Sequence, residues 1–223
     1  MCGRFTLFAE KVEIIKAFGL EQKIDNFYEK RYNIAPGQKI LVIVHDGKGK
    51  RAGQLQWGLV PSWAKDPSIG YKMINARSES AHEKPSFKKL LTRRRCLVVA
   101  DSFYEWKQVD GMKQPMRIHP KDRELFAFAG LWDRWKDGDK ELVTCTILTQ
   151  EANEFMQDIH HRMPIILPKE KEDWWLDPQP QDASYMVEGI RQLEMEDLEA
   201  YPVSMQVNNA KNDLPDCIVP LTS

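Results

Sequence analysis

At 223 residues and 42% hydrophobic, the chain is long enough for one substantial core, and no shift in composition argues for two. A formal net charge of −1 excludes a globally basic nucleic-acid or membrane-surface binder, so any such contact must come from a local patch. No apolar run reaches the roughly 20 residues that span a bilayer. No signal-peptide pattern follows Met1, and Cys2, Cys96, Cys145 and Cys217 are scattered without a Cys-x-x-Cys, as in a reduced cytoplasmic chain with no zinc site.

In chain order, Phe5 to Leu7 reads as a short strand. Ala9 to Phe18 reads as a helix with Val12, Ile15 and Phe18 on one face and Gly19 as its stop. Residues 31–38 form a loop by their Pro36-Gly37. Ile40 to His45 and a second strand ending near Trp57 make a hairpin around Asp46-Gly47. Gly47, Gly49 and Gly53 fall in that turn and miss a dinucleotide fingerprint. Trp57 to Trp63 is too rich in aromatics and turns for regular structure, and 65–71 is loop. A helix over 79–91 carries Pro85 at its start or at a kink. The basic run Arg93–Arg95 reads as a solvated face leading into the buried strand Cys96–Ala100, which continues through Phe103–Trp106. Strands near 114–119, 125–131 and 142–148 follow, with turns at Asp110-Gly111 and Asp137-Gly138. A helix capped by Thr149 runs to Ile159, then a short strand at 165–167 and a helix over 169–176; the tail is irregular strand and loop. The pattern is α+β: a curled or barrel-like, mostly antiparallel sheet with peripheral helices, in one domain.

Several residues stand out chemically. If Met1 is removed, Cys2 carries an amine (pKa near ~8) and a thiol (near ~8.5) on one residue, both partly nucleophilic at neutral pH. Such a pair condenses with an aldehyde to an imine and closes to a thiazolidine, or the thiol attacks an acyl group with the amine as base. Glu105, between Tyr104 and Trp106 after a buried run, is a carboxylate where one is costly, and so either pairs with a cation or is tuned as an acid. His160 and His161 adjoin and are expected to point apart, one of them a candidate proton shuttle; further ligands at metal-binding spacing are missing. Asn75 and Arg77 alternate in an extended segment and so face one groove, while Pro164 fixes the backbone near Arg162; arginines in such loops suit phosphates. Trp57, Trp63 and Trp106 offer stacking faces to unpaired bases, with core filling as the alternative for at least one.

These segments resemble a known signature set. Cys2-Gly3-Arg4-Phe5, Tyr32-Asn33-Ile34-Ala35-Pro36, Trp57-Gly58-Leu59-Val60-Pro61, Asn75-Ala76-Arg77-Ser78-Glu79, Phe103-Tyr104-Glu105-Trp106 and His160-His161-Arg162-Met163-Pro164 are similar to the motifs of the SRAP family, the SOS response-associated peptidases or abasic site processing proteins. The similarity runs from residue 2 to about 209. It implies recognition of abasic sites in single-stranded DNA and covalent linkage through Cys2, with Asn75, Glu105 and His160 at the other active-site positions. Arg4, Arg77 and Arg162 match positions along the DNA groove, and Trp63, Trp106 and Pro36 would wedge against bases. No cofactor or membrane is implied; the expected setting is a cytoplasmic monomer working near the replication machinery. Two other readings stay open: a cysteine peptidase or N-terminal-nucleophile amidohydrolase that cuts off its own Met1, and a single-strand-binding module without a covalent step.

Overall fold

The computed structural model describes residues 2–193 and 197–221. Its elements are β1 (Phe5–Leu7), α1 (Lys11–Phe18), β2 (Arg31–Ile34), β3 (Lys39–His45), β4 (Lys50–Trp57), β5 (Asn75–Arg77), α2 (Ser78–Ala81), α3 (Pro85–Arg93), β6 (Arg95–Ala100), β7 (Ser102–Val109), β8 (Met112–Pro120), β9 (Phe126–Asp137), β10 (Lys140–Glu151), α4 (Glu154–Gln157), β11 (Arg162–Pro164), β12 (Ile166–Leu167), α5 (Glu172–Leu176), α6 (Ala183–Arg191) and β13 (Leu198–Pro202).

Five strands close on themselves in the order β10-β4-β3-β6-β9, because β9 also pairs with β10. A ring with an odd number of strands cannot alternate direction throughout. The odd step falls at β10–β4, where Thr144 lies beside Gln56 and Cys145 beside Trp57 in parallel, while the other four pairings are antiparallel. A second sheet, β13-β8-β7-β1-β2, lies against the barrel. Edge-on contacts of Phe5 with Trp57 and Phe128, at 5.3 and 5.8 Å, join the two. The α+β barrel expected from the strand pattern is therefore present.

Every residue of β6 is buried, which its unbroken apolar run anticipated. Arg95 opens that strand and is buried too, so it does not belong to a solvated basic face. Its guanidinium donates to the carbonyls of Leu91 and Trp175 at 2.7 Å, and also to those of Asp177 and Gln179, gathering carbonyls at and just past the C-terminal ends of α3 and α5, where the partial charge is negative. Cys96 and Cys145 are core residues whose thiols burial pushes well up.

The departures from the sequence reading have local causes. Helix α1 starts later, where the Glu10 amide donates to Glu13 Oε2 at 2.8 Å. Its inner face carries Ile14, while Val12 is 69% exposed. Residues 31–34 form a strand, and only Pro36-Gly37 turns, with Gly37 at φ 86°. The 65–71 loop includes a 3₁₀ helix over Pro67–Lys72. The 79–91 helix is two helices, Pro85 opening the second, where its missing N–H is harmless. Thr149 is a buried strand residue of β10, and Asn153 caps the short α4 by accepting from the Met156 amide. Helix α6 was not anticipated.

Gly58 shows why the Trp-Gly-Leu-Val-Pro segment takes its form. It sits at φ 130°, and a Cβ there would stand 2.7 Å from the Gly70 carbonyl oxygen. Gly58→Ala is expected to lose at least about 2 kcal/mol of stability through backbone strain and steric conflict, read as a lowered denaturation midpoint.

Candidate active site

The site is built at the start of β1. Phe5 pairs with Phe103 on one side and with Ile34 on the other. Gly3 and Glu105 each lie two residues beyond the first pair, and Gly3 and Pro36 each two beyond the second. The Tyr104 amide donates to the Arg4 carbonyl at 3.0 Å, carrying the ladder toward the terminus. Cys2 is fully buried there. Its carbonyl accepts the Asn75 Nδ2–H at 2.8 Å, and its thiol makes one weak hydrogen-bond contact among the described residues, 3.9 Å from the Arg4 carbonyl. Met1, whose removal the aminothiol chemistry requires, lies outside the described residues.

Asn75 reaches Cys2 because β5 runs parallel to β10, with Ala76 turned inward and Asn75 and Arg77 on the other side. Its Oδ1 is buried and has no hydrogen-bond partner among the described residues. An unpaired buried acceptor is costly, and here it stands beside the candidate nucleophile.

Glu105 and His160 line one open groove of about 660 Å³ together with Trp106, Met112, Lys113, Met205 and Asn208. Burial raises the Glu105 pKa. Burial, and after it the charge of Glu105, also pushes the Cys2 thiol far up. The partly ionised thiol expected from an ordinary cysteine is thus replaced by a neutral one. The His160 pKa is lowered, chiefly by burial. Its Nδ1 is 2.9 Å from the Arg162 amide nitrogen and 3.1 Å from the Arg162 carbonyl oxygen. The neutral ring can accept from the first and the charged ring can donate to the second, so Nδ1 has a partner in either protonation state. His160 and His161 do not point apart: their rings stack with centroids 4.3 Å apart.

The arginines have separate fates. The Arg77 side chain is exposed and makes no hydrogen bond or ion pair among the described residues, as a phosphate contact needs. Arg162, 6% exposed, is turned inward onto Glu79, Nη1 to Oε1 at 2.7 Å and Nη2 to Oε2 at 3.0 Å, with Thr149 Oγ1 at 3.1 Å. It anchors the His160 turn instead of facing solvent. Arg4 is half-buried and spends Nη1 on Asn33 Oδ1 and the Val207 carbonyl, at 2.7 and 2.6 Å, and Nη2 on the Asn208 carbonyl at 3.1 Å. It ties the start of β1 to the loop that carries Asn208.

Of the tryptophans, Trp57 fills the core and donates to the Ile74 carbonyl. Trp106 is in the groove wall, its Nε1 donating to Asn208 Oδ1 at 2.7 Å. Trp63 is 58% exposed and lines a different groove with Lys89, Arg93 and Arg94. Pro36 is half-buried on the turn beyond β2. The sequence reading missed Met112, Lys113, Met205 and Asn208. The first two follow the tight Asp110-Gly111 turn (φ 48° and 81°) joining β7 to β8, a hairpin that was legible. Asn208 arrives by folding alone: Asn33 Nδ2 donates to the carbonyls of Val207, Asn209 and Asn212, clasping the tail under the groove. No group of three or more His, Cys, Asp or Glu side chains among the described residues is placed to hold a metal ion. No helix among them is long and apolar enough to cross a membrane.

A barrel whose second sheet delivers a near-terminal cysteine to a buried carboxyl, an asparagine and a histidine defines the class. The chain belongs to the SOS response associated peptidase (SRAP) family, whose family model matches residues 1–210. It is 51% identical to the abasic site processing protein YoqW of Bacillus subtilis over 98% of this chain and 99% of that one. It is 37% identical to the abasic site processing protein HMCES of Gallus gallus, over 87% of this chain and 67% of the relative. A crystal structure of a Bacteroides thetaiotaomicron protein, 25% identical, superposes with a TM-score of 0.87 over 99% of this chain and all of that one. A phage-related protein from Bordetella bronchiseptica, 30% identical, does so at 0.75 over 96% of this chain and all of that one.

Proposed function

We propose that this chain, once freed of Met1, captures abasic sites in single-stranded DNA by forming a thiazolidine between Cys2 and the aldehyde of the ring-opened deoxyribose. The observation that carries the reading is the buried Cys2, held by Asn75 and electrostatically coupled to a Glu105 that shares a groove with His160. The printed names of the relatives point the same way.

The protons balance through Glu105. The neutral amine adds to the aldehyde, and protonated Glu105 gives its proton to the carbinolamine hydroxyl, which leaves as water. The carboxylate so formed takes the thiol proton as sulfur closes on the iminium carbon. One water is released, and Glu105 returns to its starting state. A thiol kept neutral at rest, beside an acid of raised pKa, suits this order of events. An open imine would acidify the neighbouring carbon and invite strand cleavage by β-elimination; closure removes it. Asn75 Oδ1 is available to accept from the hydroxyl freed by sugar opening, and His160 acts as a second acid/base on that hydroxyl and in reversal. Arg77 meets a flanking phosphate, and Trp106 and Pro36 meet bases; Trp63, in its separate groove, meets the strand farther along. All the reacting groups come from one chain, so a monomer suffices. Replication exposes single strands, which makes the replication machinery the expected partner and the cytoplasm the expected compartment.

Incubating the trimmed protein with single-stranded DNA carrying one abasic site is expected to give a heat- and detergent-stable adduct, lighter than the sum of its parts by one water. Cys2→Ala should abolish it. An undiminished adduct in that variant refutes the reading. Salt-sensitive binding without any adduct favours a non-covalent module, and cleavage of a peptide favours a peptidase.

A further inference from the structure

The wall of the groove contains a residue that reaches it only because the tail folds back. Asn208 ends the 3₁₀ helix Met205–Asn208, outside the motifs that mark the site in the sequence. Its backbone is tied down: the Asn208 carbonyl accepts Arg4 Nη2 at 3.1 Å, and the Val207 carbonyl before it accepts Arg4 Nη1 at 2.6 Å and Asn33 Nδ2 at 3.1 Å. Its side chain is exposed, yet Oδ1 takes the Trp106 Nε1–H at 2.7 Å. An indole nitrogen can only donate, so the amide turns its oxygen to Trp106 and leaves Nδ2 on the other side, 3.9 Å from Met205 Sδ.

Trp106 is joined to the site through both its backbone and its ring. Its backbone amide donates to the Glu105 carboxyl, and its ring walls the groove that Glu105 and His160 line. The ring is half-buried, packed against Tyr104, Val203 and Val207 on one side only. Such an indole has other side-chain rotamers open to it, and the bond to Asn208 selects one. An exposed hydrogen bond adds little to folding, because the unfolded chain makes the same bond to water. What it adds is a single orientation of the wall before the strand arrives, which removes part of the ordering cost of binding. The Asn208 carbonyl meanwhile holds Arg4, two residues from Cys2, so one residue of the tail is tied to both flanks of the site.

Resting on the proposed function, we infer that Asn208 is a positioning residue: through its side-chain carbonyl it locks the Trp106 indole, so that an abasic strand meets a groove already shaped around Glu105. Asn208 acts on the DNA through Trp106 and takes no part in the bond-making steps.

The test uses the full chain without Met1, labelled with ¹⁵N at its seven tryptophans. The indole signal missing from Trp106→Phe belongs to Trp106. Asn208→Ala is expected to move that signal and speed its exchange with water, leaving the other indole signals in place. In single-turnover adduct formation on abasic single strands, Asn208→Ala should raise the half-saturating DNA concentration about 2- to 10-fold, the worth of one hydrogen bond, and change the maximum rate less than that. Trp106→Phe keeps a ring without the donor and should raise it as well, and the double variant should be no weaker than Trp106→Phe alone. A strand with a tetrahydrofuran analogue, which has no aldehyde and cannot crosslink, should lose affinity in the same order. An unmoved Trp106 signal, a half-saturating concentration within about twofold of wild type, or losses that multiply in the double variant overturns the inference. So does a thermal midpoint lowered by more than about 4 °C, because Asn208 would then serve the docking of the tail. If adducts form and the loss is absent, the proposed function stands without this lock. If the wild type forms no adduct while the tetrahydrofuran strand shows the loss, the lock stands and the covalent chemistry falls.

Discussion

Glu105→Gln is expected to slow adduct formation by about 10²- to 10⁴-fold, the range lost with a positioned general acid. The pH profile should change shape as well as height. The wild type needs Glu105 protonated and the Cys2 amine neutral, and above the amine pKa of about 8 its rate should fall tenfold per unit as the acid form is depleted. The glutamine variant needs only the neutral amine, so its residual rate should rise to the same point and then level off. Stability should move the other way. A carboxyl whose folded-state pKa is raised by burial contributes stability below its unfolded pKa, and this is lost as pH rises through the folded value. Above the unfolded carboxylate value the wild type therefore carries a cost for keeping this carboxyl buried that a non-titrating amide does not, so Glu105→Gln should melt higher at pH 7 while working worse. A variant that loses activity and stability together would mean that Glu105 is a structural residue. Single-turnover rates from pH 5 to 9, with thermal melts at pH 4 and 7, make the comparison.

The largest loss of stability should come from Glu79→Ala. Glu79 answers a guanidinium almost wholly inside the protein, and removing it strands that charge. Breaking a buried pair from one side should cost about 3 kcal/mol, which for a chain of this size lowers the melting temperature by roughly 6–12 °C. Burial pulls the Glu79 pKa upward, but the Arg162 hydrogen bonds and charge outweigh it and leave it below the ordinary value. The pair's contribution is thus present above the unfolded carboxylate pKa and fades as pH falls through the lower folded one. Wild type should lose stability in acid through this group, and Glu79→Ala should not. Because the Arg162 amide also holds His160 Nδ1, adduct formation should weaken in the variant even where it remains folded.

How much of this was legible in the sequence depended on the range of the interaction. The hairpins were read correctly because their turn residues and alternating strands are local, and β6 because both of its faces are covered and its apolar run is unbroken. The motifs marked Cys2, Asn75, Glu105 and His160, and the fold brings Cys2 to Asn75 and Glu105 into a groove with His160. The fate of each charge was not legible. Arg77, Arg95 and Arg162 look alike in sequence; one faces solvent, one gathers backbone carbonyls and one meets Glu79, and only tertiary placement decides which. The same holds for Trp57, Trp63 and Trp106. The helix spanning Pro85 was misjudged because a proline that opens one helix and one that kinks another leave the same sequence trace. Thr149 was misjudged because its hydroxyl serves Arg162, not a helix end.

The depth at which Cys2 lies also bears on biosynthesis. On the ribosome, β1 can settle only after β7 has been made, nearly half a chain later, so the nascent terminus stays loose for on the order of ten seconds. A processing aminopeptidase has that interval to trim the initiator before the residue behind it is enclosed.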